Sequence, residues 1–209
     1  MWIRIAITAV VSYLLGNLNG AVVVSHSLHD DVRSHGSGNA GLTNFIRSYG
    51  AGRSLLVIAI DAGKAVLACV LGGLLLSSCG LALEGRTLGG LFVMLGHIFP
   101  ALLGFKGGKG ILSGWTIAWC VDWRIAVLLG VVFFTVYLLT QYVSLGSVLG
   151  AAGFSAGFVI FYHQNLPVML AGVFMGALAV FMHRANIVRL LKGEERKTNL
   201  FKKKGEKSE

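Results

Sequence analysis

Long apolar runs dominate the pattern of this chain, and short polar segments separate them. An α-helix needs roughly 17–25 predominantly apolar residues to cross a bilayer. Seven runs approach or exceed that length: 5–27, 54–79, 87–104, 110–121, 124–142, 146–163 and 166–183. The fourth is the shortest, and we expect it to be tilted or to span only part of the bilayer. The pattern predicts an all-α, polytopic membrane protein with seven transmembrane helices.

Composition supports a membrane protein rather than a soluble one. Only 13% of the residues are charged and 55% are hydrophobic, whereas a soluble domain carries about 25% charged residues. Glycine is abundant, with 29 residues, and small residues allow membrane helices to approach closely. We predict one integral membrane domain over residues 1–192, followed by a basic cytoplasmic tail at 193–209.

The basic residues predict how the chain is oriented. With the N-terminus outside, 14 of the 18 lysines and arginines would face the cytoplasm, Lys64 would lie within a span, and three would face outward: Arg4, Arg86 and Arg124. Cytoplasmic loops of membrane proteins carry such an excess, so we predict N-terminus out and C-terminus in. The positive charge lies at span ends and in the tail, which indicates contact with anionic membrane lipids and no nucleic-acid partner.

Three polar segments interrupt the apolar pattern, at residues 31–47, 104–110 and 183–189. In the predicted orientation all three face the cytoplasm, together with Ser144 and Ser147. Charged and hydroxyl groups at a bilayer boundary are costly and usually functional. We therefore predict one anion-binding site assembled from distant parts of the chain.

The first polar segment contains Gly36-Ser-Gly-Asn-Ala-Gly41. It fits the spacing of a dinucleotide-binding fingerprint, but that motif needs a strand before it, and apolar helices flank it here. A glycine turn before a helix N-terminus still favours an anion, and we expect Asn39 to cap that helix. The candidate residues are Ser37, Gly38, Asn39, Gly41, Thr43, Asn44 and Arg47. The alternative is an interfacial helix whose Arg47 only reaches lipid headgroups.

The second polar segment, Gly104-Phe-Lys-Gly-Gly-Lys-Gly110, is close to a nucleotide-binding P-loop. Its spacing is one residue short and no Ser or Thr follows the last lysine, which disfavours a nucleoside triphosphate. Glycine amides and lysines can still bind a phosphate, so we select Lys106, Gly107, Gly108, Lys109 and Gly110. His97 lies upstream, within reach of the same membrane face. A plain loop with lysines that retain it in the cytoplasm is the alternative.

The third polar segment places His183, Asn186 and Arg189 at i, i+3 and i+6. That spacing arranges them along one side of a helix. Glu194 follows near the helix end and is expected to support the structure. A basic juxtamembrane helix that binds anionic lipid is the alternative, but it does not explain His183 and Asn186.

Asp61 and Lys64 lie at i and i+3 within the second apolar run. Opposite charges inside a membrane usually pair, so we expect a structural ion pair that supports the site. The three cysteines lack metal-ligand spacing, and we predict neither a metal nor a cofactor.

Taken in order, these segments resemble the PlsY family, the bacterial acyl-phosphate-dependent glycerol-3-phosphate acyltransferases. The resemblance runs from about Tyr13 to Lys197 and rests on four blocks: residues 36–47, 96–100 with 104–110, 142–147 and 183–194. Two departures are visible. Gly16-Asn-Leu-Asn-Gly20 replaces the usual Ser-Ile-Pro segment, and Ile111-Leu-Ser113 replaces the more usual Val-Ala-Thr. Both lie away from the charged groups, so they bear on local packing or acyl preference.

The resemblance implies a multi-pass enzyme of the bacterial plasma membrane, with its active site facing the cytoplasm. It implies transfer of an acyl group from acyl phosphate to the 1-hydroxyl of sn-glycerol 3-phosphate, giving lysophosphatidate and phosphate, the first step of phospholipid synthesis. A partner that makes the acyl phosphate is also implied.

We hypothesise that Lys106 and the loop 107–110 bind glycerol 3-phosphate, whereas Ser37, the turn 38–41 and Arg47 bind acyl phosphate. His183, oriented by Asn186, is the candidate to accept the hydroxyl proton, with the phosphate of the substrate as the alternative.

Two other classes compete with the enzyme. A transporter or flippase for a phosphorylated solute would need polar residues along a path across the bilayer and usually shows repeat symmetry. Here the polar groups crowd one face. A noncatalytic scaffold held by the basic tail leaves the glycine-rich segments without a purpose.

Overall fold

The computed structural model describes residues 1–198, and that part of the chain is helical without strands. The predicted all-α class is confirmed. Most of the predicted basic tail, residues 199–209, lies outside the described residues, so the predicted domain boundary stays a prediction.

The described chain folds into ten α-helices and two 3₁₀ turns. The helices are α1 (Trp2–Asn17), α2 (Gly20–His26), α3 (Leu42–Tyr49), α4 (Ser54–Ser77), α5 (Ala82–Ile98), α6 (Ile111–Val121), α7 (Trp123–Thr140), α8 (Val143–Tyr162), α9 (Leu166–Met182) and α10 (Arg184–Leu191). The 3₁₀ turns are Val32–Ser34 and Ala101–Leu103.

The apolar helices make this an integral membrane fold. Within residues 1–198, four stretches are long and apolar enough to span a bilayer: α4, α5 with its following turn, α7 and α8. Two bent pairs, α1–α2 (40°) and α9–α10 (53°), raise the number to six if each pair is one span. The fourth predicted span, 110–121, corresponds to α6, which is shorter, with 11 residues. The fold therefore carries four to six candidate spans.

Helix α5 begins earlier than predicted, at Ala82 instead of residue 87. Glu84 lies in its first turn, where a carboxylate interacts favourably with the positive end of the helix dipole. Charged residues there interrupt the apolar run without ending the helix, which is why hydropathy alone misplaced the boundary.

Close backbone contacts hold the central helices together. A Cβ added at Gly72 of α4 would meet the backbone carbonyl of Gly85 of α5, and the reverse is also true. Two membrane helices can approach this closely only where small residues face each other. The contact fixes α5, which leads into the second polar segment.

The break between α1 and α2 is stabilised by the predicted ion pair. Lys64 Nζ lies 2.8 Å from Asp61 Oδ1 and donates to the carbonyls of Gly16 (3.2 Å) and Leu18 (2.6 Å) at the end of α1. Asp61 accepts from the amide of Gly20, the first residue of α2, at 3.1 Å. Because helix ends leave unpaired carbonyl and amide groups, one buried ion pair satisfies both sides of the break. The expectation that residues 16–20 lie away from the charged groups is therefore wrong.

Two apolar clusters position the polar segments. The larger one lies among α4 to α9 and includes the fully buried side chains of Ile117, Ile125, Phe158 and Met175. A smaller cluster underlies the first polar segment, where Phe45 of α3 is fully buried with Val32 and Val57. Burial of these side chains anchors the short helix α3 beside the membrane helices.

Candidate active site

One cavity of about 290 Å³ lies where the three polar segments meet. The polar and charged residues of its lining, with two glycines, are Ser37, Asn39, Gly41, Thr43, Asn44, Arg47, Asp61, His97, Lys109, Gly110, Ser144, Ser147, His183, Asn186, Arg189 and Glu195. The apolar part of its lining consists of Leu42, Ile46 and Val143, together with residues of α6 and α7: Ile111, Leu112, Trp115, Leu129, Gly130, Phe133 and Phe134. The structure therefore brings most of the predicted site residues together. Gly38, Lys106, Gly107 and Gly108 lie outside the lining.

Asn44 shapes the first polar segment. Its Oδ1 accepts from the amide of Ser37 at 3.0 Å, and its Nδ2 donates to the carbonyls of Val32, His35 and Asn39 at 3.0, 3.0 and 3.1 Å. A single buried amide thereby folds residues 32–39 back onto α3. This places Ser37 at the cavity wall.

Asn39 does not cap α3. The N-cap residue is Gly41, without a side-chain hydrogen bond, and the Nδ2 of Asn39 instead donates to the Gly107 carbonyl at 3.4 Å. The expected cap is wrong because Asn39 has a partner on the second polar segment, which sequence spacing could not reveal. Its hydrogen bond links the first and second segments directly.

The second polar segment packs against His97. The amide of Gly108 donates to the His97 carbonyl at 3.1 Å, so that amide is not available to a phosphate. A Cβ on Gly108 would meet the His97 ring, and His97 Nδ1 lies 2.9 Å from Lys64 Nζ. Glycine is required here for close packing. Lys106 is exposed, which leaves Lys109 as the lysine of this segment in the cavity.

Glu195 connects the third polar segment to α8. Its carboxylate accepts from Ser144 Oγ (2.9 Å), Asn186 Nδ2 (2.8 Å) and Arg189 Nε (2.7 Å). Glu195 is only 9% exposed, whereas the predicted structural residue Glu194 is exposed. The sequence offered two adjacent carboxylates, and only the path of the chain after α10 decides which one turns inward.

His183 is held by its own helix. It is 4% exposed, and its Nδ1 lies 2.7 Å from the Ala179 carbonyl. A carbonyl only accepts, so Nδ1 carries the proton and Nε2 keeps a lone pair. The expected orientation by Asn186 is not observed. Asn186 instead accepts from Lys109 Nζ and donates to Glu195.

The charged residues of the cavity lining favour the binding of an anion. Burial, together with the charges of Arg189 and Arg47, lowers the pKa of Lys109 to about 8. Burial of the guanidinium also lowers the pKa of Arg47. Burial opposes ionisation of Glu195, but its hydrogen bonds from Asn186, Arg189 and Ser144 outweigh that effect and hold its pKa below the ordinary value. Crowded cations with depressed pKa values gain stability when a negative ligand arrives.

Within residues 1–198, no three His, Cys, Asp or Glu side chains gather in an arrangement that could hold a metal ion. The lining itself offers cations, amides, hydroxyls, the carboxylates of Asp61 and Glu195, and the imidazoles of His97 and His183.

Comparison with known proteins identifies the family. The family model for glycerol-3-phosphate acyltransferase matches residues 6–193. A glycerol-3-phosphate acyltransferase of Finegoldia magna is 35% identical over 197 residues, covering 94% of this chain and 97% of that protein.

Solved structures agree. The glycerol 3-phosphate form of PlsY, an integral membrane glycerol 3-phosphate acyltransferase, superposes with a TM-score of 0.83 at 30% identity, covering 95% of this chain and 99% of that one. Its lysophosphatidic acid form gives 0.80 at 29% identity, covering 94% and 96%. With the family model matching nearly the whole chain and the cavity built from the same segments that suggested the resemblance, the chain belongs to the glycerol-3-phosphate acyltransferase family.

Proposed function

We propose that this protein transfers an acyl group from acyl phosphate to the 1-hydroxyl of sn-glycerol 3-phosphate, forming lysophosphatidate and inorganic phosphate. The observation that carries the proposal is a single cavity whose lining combines the cations Arg47, Lys109 and Arg189 with apolar residues of α6 and α7. Both substrates carry phosphate, and one also carries a long apolar chain. The names of the relatives and the glycerol 3-phosphate form of PlsY agree with the acceptor, and the lysophosphatidic acid form agrees with the product.

Lys109 and the N-terminus of α6 form the proposed site for the phosphate of glycerol 3-phosphate. Gly110 is the N-cap of α6, and the first residues of that helix line the cavity. The amides of a helix N-terminus and its dipole attract an anion, and Lys109 adds charge. The sequence analysis also assigned Lys106 to glycerol 3-phosphate. Lys106 is not part of the proposed site, because it lies outside the cavity lining.

Ser37 and Arg47 form the proposed site for the phosphate of the donor. Ser37 is held at the cavity wall by Asn44, and Arg47 lies on the facing side of the same segment, on α3. A guanidinium can bind a phosphate through two parallel hydrogen bonds. This places the donor phosphate on the first segment and the acceptor phosphate on the second.

In this proposal the acyl chain lies along the apolar lining residues of α6 and α7. The indole Nε1 of Trp115 donates to the Ala126 carbonyl of α7 at 2.9 Å, and the ring lies beside Gly130, whose added Cβ would be 3.5 Å from it. This fixed ring forms the end of the apolar lining. Phe134 is 39% exposed at the outer edge, which gives the chain a lateral route to the bilayer.

The proposed reaction needs positioning and charge stabilisation more than covalent catalysis. The 1-hydroxyl oxygen attacks the acyl carbon, the bond from that carbon to the phosphate oxygen breaks, and phosphate leaves with the electron pair. Holding the two reactants in contact and balancing the developing charge with Arg47 and Lys109 lower the barrier. His183 Nε2 accepts the hydroxyl proton, and the phosphate of a substrate is the other candidate acceptor.

We further propose seven crossings in the plasma membrane of a bacterium, with the N-terminus outside and the cavity facing the cytoplasm. Support comes from two of the three basic residues assigned to the outside. Arg4 donates to the Leu75 carbonyl near the end of α4, and Arg124 pairs with Asp122 at the start of α7. On α4, Leu75 lies roughly 21 Å along the helix from Asp61 of the cavity lining.

Seven crossings require that α6 crosses the bilayer in addition to the six candidate spans. Its 11 residues cover only about 16 Å of a bilayer core of about 30 Å. A partner that makes acyl phosphate would supply the donor from the cytoplasm.

The test is a reaction with purified protein in detergent or proteoliposomes, with lysophosphatidate measured by mass spectrometry. We expect turnover with acyl phosphate and glycerol 3-phosphate. We expect Arg47→Ala and His183→Ala to abolish it, whereas Arg53→Ala, an exposed arginine near the start of α4, should retain it. Turnover with acyl-CoA or acyl carrier protein, but not with acyl phosphate, would overturn the donor. Uptake of glycerol 3-phosphate into vesicles without acyl transfer would favour a transporter.

A further inference from the structure

The segment after α10 lies beside the cavity, and its residue Glu195 is part of the lining. We name residues 194–198 the C-terminal strap; it follows the last residue matched by the family model, residue 193. Its far end is tied to the end of α7. The amide of Thr198 donates to the Gln141 carbonyl at 3.0 Å, and the Tyr137 hydroxyl donates to the Thr198 carbonyl at 3.0 Å. Thr198 is 9% exposed, so the strap packs against the helices rather than lying free.

The strap holds Arg47. Arg47 Nε donates to Thr198 Oγ1 at 3.0 Å, and its Nη2 donates to the same oxygen and, at 3.5 Å, to the Arg196 carbonyl. The two residues are 151 positions apart in sequence. Helix α3, which carries Arg47, has only eight residues. The strap therefore fixes a long side chain that its own helix leaves unsupported.

The hydrogen-bond partner of Arg47 determines whether its positive charge stays available to a ligand. Within residues 1–198, Arg47 forms no ion pair with a carboxylate within 4 Å; its contacts there are a hydroxyl and a carbonyl. A carboxylate would fix the guanidinium but would also compete with a phosphate for it. Neutral acceptors fix its direction and leave its charge available. The Nη1 side of the guanidinium remains directed away from the hydroxyl that binds Nε and Nη2.

We propose that Thr198 is a positioning residue for Arg47: its hydroxyl preorients the guanidinium toward the phosphate of the acyl donor. This inference rests on the proposed function, in which Arg47 binds that phosphate. Fixing a flexible side chain before the ligand binds reduces the entropy lost on binding. The effect should therefore appear in the donor KM more than in kcat or in the KM for glycerol 3-phosphate.

The experiment compares four variants with the wild type. Thr198→Val keeps the shape of the side chain and removes the hydroxyl, whereas Thr198→Ser keeps the hydroxyl. Tyr137→Phe removes a tie of the strap that does not involve Arg47, and Lys197→Ala changes an exposed neighbour on the strap. Initial rates are measured with acyl phosphate varied at saturating glycerol 3-phosphate, and the reverse. Thermal unfolding of each variant is recorded in parallel.

We expect Thr198→Val to raise the acyl phosphate KM by about tenfold or more, the range for a lost hydrogen bond to a charged group. The KM for glycerol 3-phosphate should change by less than about twofold. Thr198→Ser, Tyr137→Phe and Lys197→Ala should stay close to the wild-type donor KM.

Equal donor KM values for Thr198→Val and the wild type would overturn the inference and leave the proposed function intact. The same would follow if Tyr137→Phe had the same effect as Thr198→Val, since the strap would then act only as structure. If Thr198→Val unfolds, failure of Thr198→Ser to keep the wild-type donor KM overturns the inference. A wild type inactive on acyl phosphate would overturn the proposed function, and this inference with it.

Discussion

Lys109 makes the reaction sensitive to alkaline pH. Burial and the neighbouring cations lower its pKa from the ordinary 10.5 to about 8, so the free enzyme loses this ammonium as the pH rises through about 8. At pH 7 about nine-tenths of the molecules carry the charge, and at pH 9 about one-tenth, which predicts a fall of about tenfold in kcat/KM for glycerol 3-phosphate. A bound phosphate raises the pKa of Lys109, so kcat should change much less.

The contribution of Lys109 to the free energy of unfolding should increase with pH over the range in which kcat/KM falls. Between about pH 8 and 10.5 the unfolded chain still holds the Lys109 proton, whereas the folded protein has released it. Stability therefore rises with pH over this range as far as Lys109 is concerned. A loss of activity without a loss of thermal stability would separate the binding effect from unfolding.

The assay measures initial rates of lysophosphatidate formation from pH 6.5 to 9.5, with glycerol 3-phosphate varied. Lys109→Arg keeps a positive charge throughout this range and should abolish the alkaline fall, whatever its absolute rate. Lys106→Arg, the same change at the exposed lysine of the same loop, should leave the fall in place. An alkaline fall that persists in Lys109→Arg would refute the assignment.

Three further predictions follow from the site. Glu195→Ala removes the carboxylate that binds the buried donors of Ser144 and Asn186 and the half-buried Arg189, and should lower the free energy of unfolding by about 3 kcal/mol. Glu194→Ala should change it by less than about 0.5 kcal/mol, and equal effects would contradict the role of Glu195. Gly108→Ala forces a methyl group against the imidazole of His97. We expect the free energy of unfolding to fall by about 1–3 kcal/mol and the KM for glycerol 3-phosphate to rise. An unchanged KM would contradict the packing of Gly108 on His97. Trp115→Ala removes the end of the apolar lining and should raise the KM for long-chain acyl phosphates by about tenfold, whereas Trp119→Ala, at an exposed position of the same helix, should not; equal KM values would place the acyl chain elsewhere.

The long helices and the gathering of the polar segments could be predicted from the sequence. The individual side-chain contacts within the site were less predictable. Apolar run length is a local property, so the long helices were predictable. The gathering of Arg47, Lys109 and His183 was expected from the predicted orientation, because loops on one membrane face can share a site. Neither prediction needed to know which side chains touch.

Hydrogen-bond partners were less predictable because they depend on tertiary packing. Asn39 was expected to cap α3, but it lies two residues before the N-cap Gly41 and binds the Gly107 carbonyl. Asn44, predicted as a residue of the anion site, is the buried amide that folds the loop. Glu195 and Thr198 were missed because they lie after α10, where the chain turns back over the cavity. Helical periodicity carries no information beyond the helix end.

Membrane sidedness of the polar segments provides the most direct measurement, since one shared cavity requires them to lie on the same face. Single cysteines at three exposed positions, one in or beside each segment, would be introduced after replacement of the native cysteines: Ser34→Cys, Lys106→Cys and Lys192→Cys. They would be treated with a membrane-impermeant maleimide in right-side-out and inside-out vesicles. We expect all three to react only in inside-out vesicles. Reaction of Ser34→Cys and Lys106→Cys from opposite sides would contradict a common cavity and the two-phosphate site built on it.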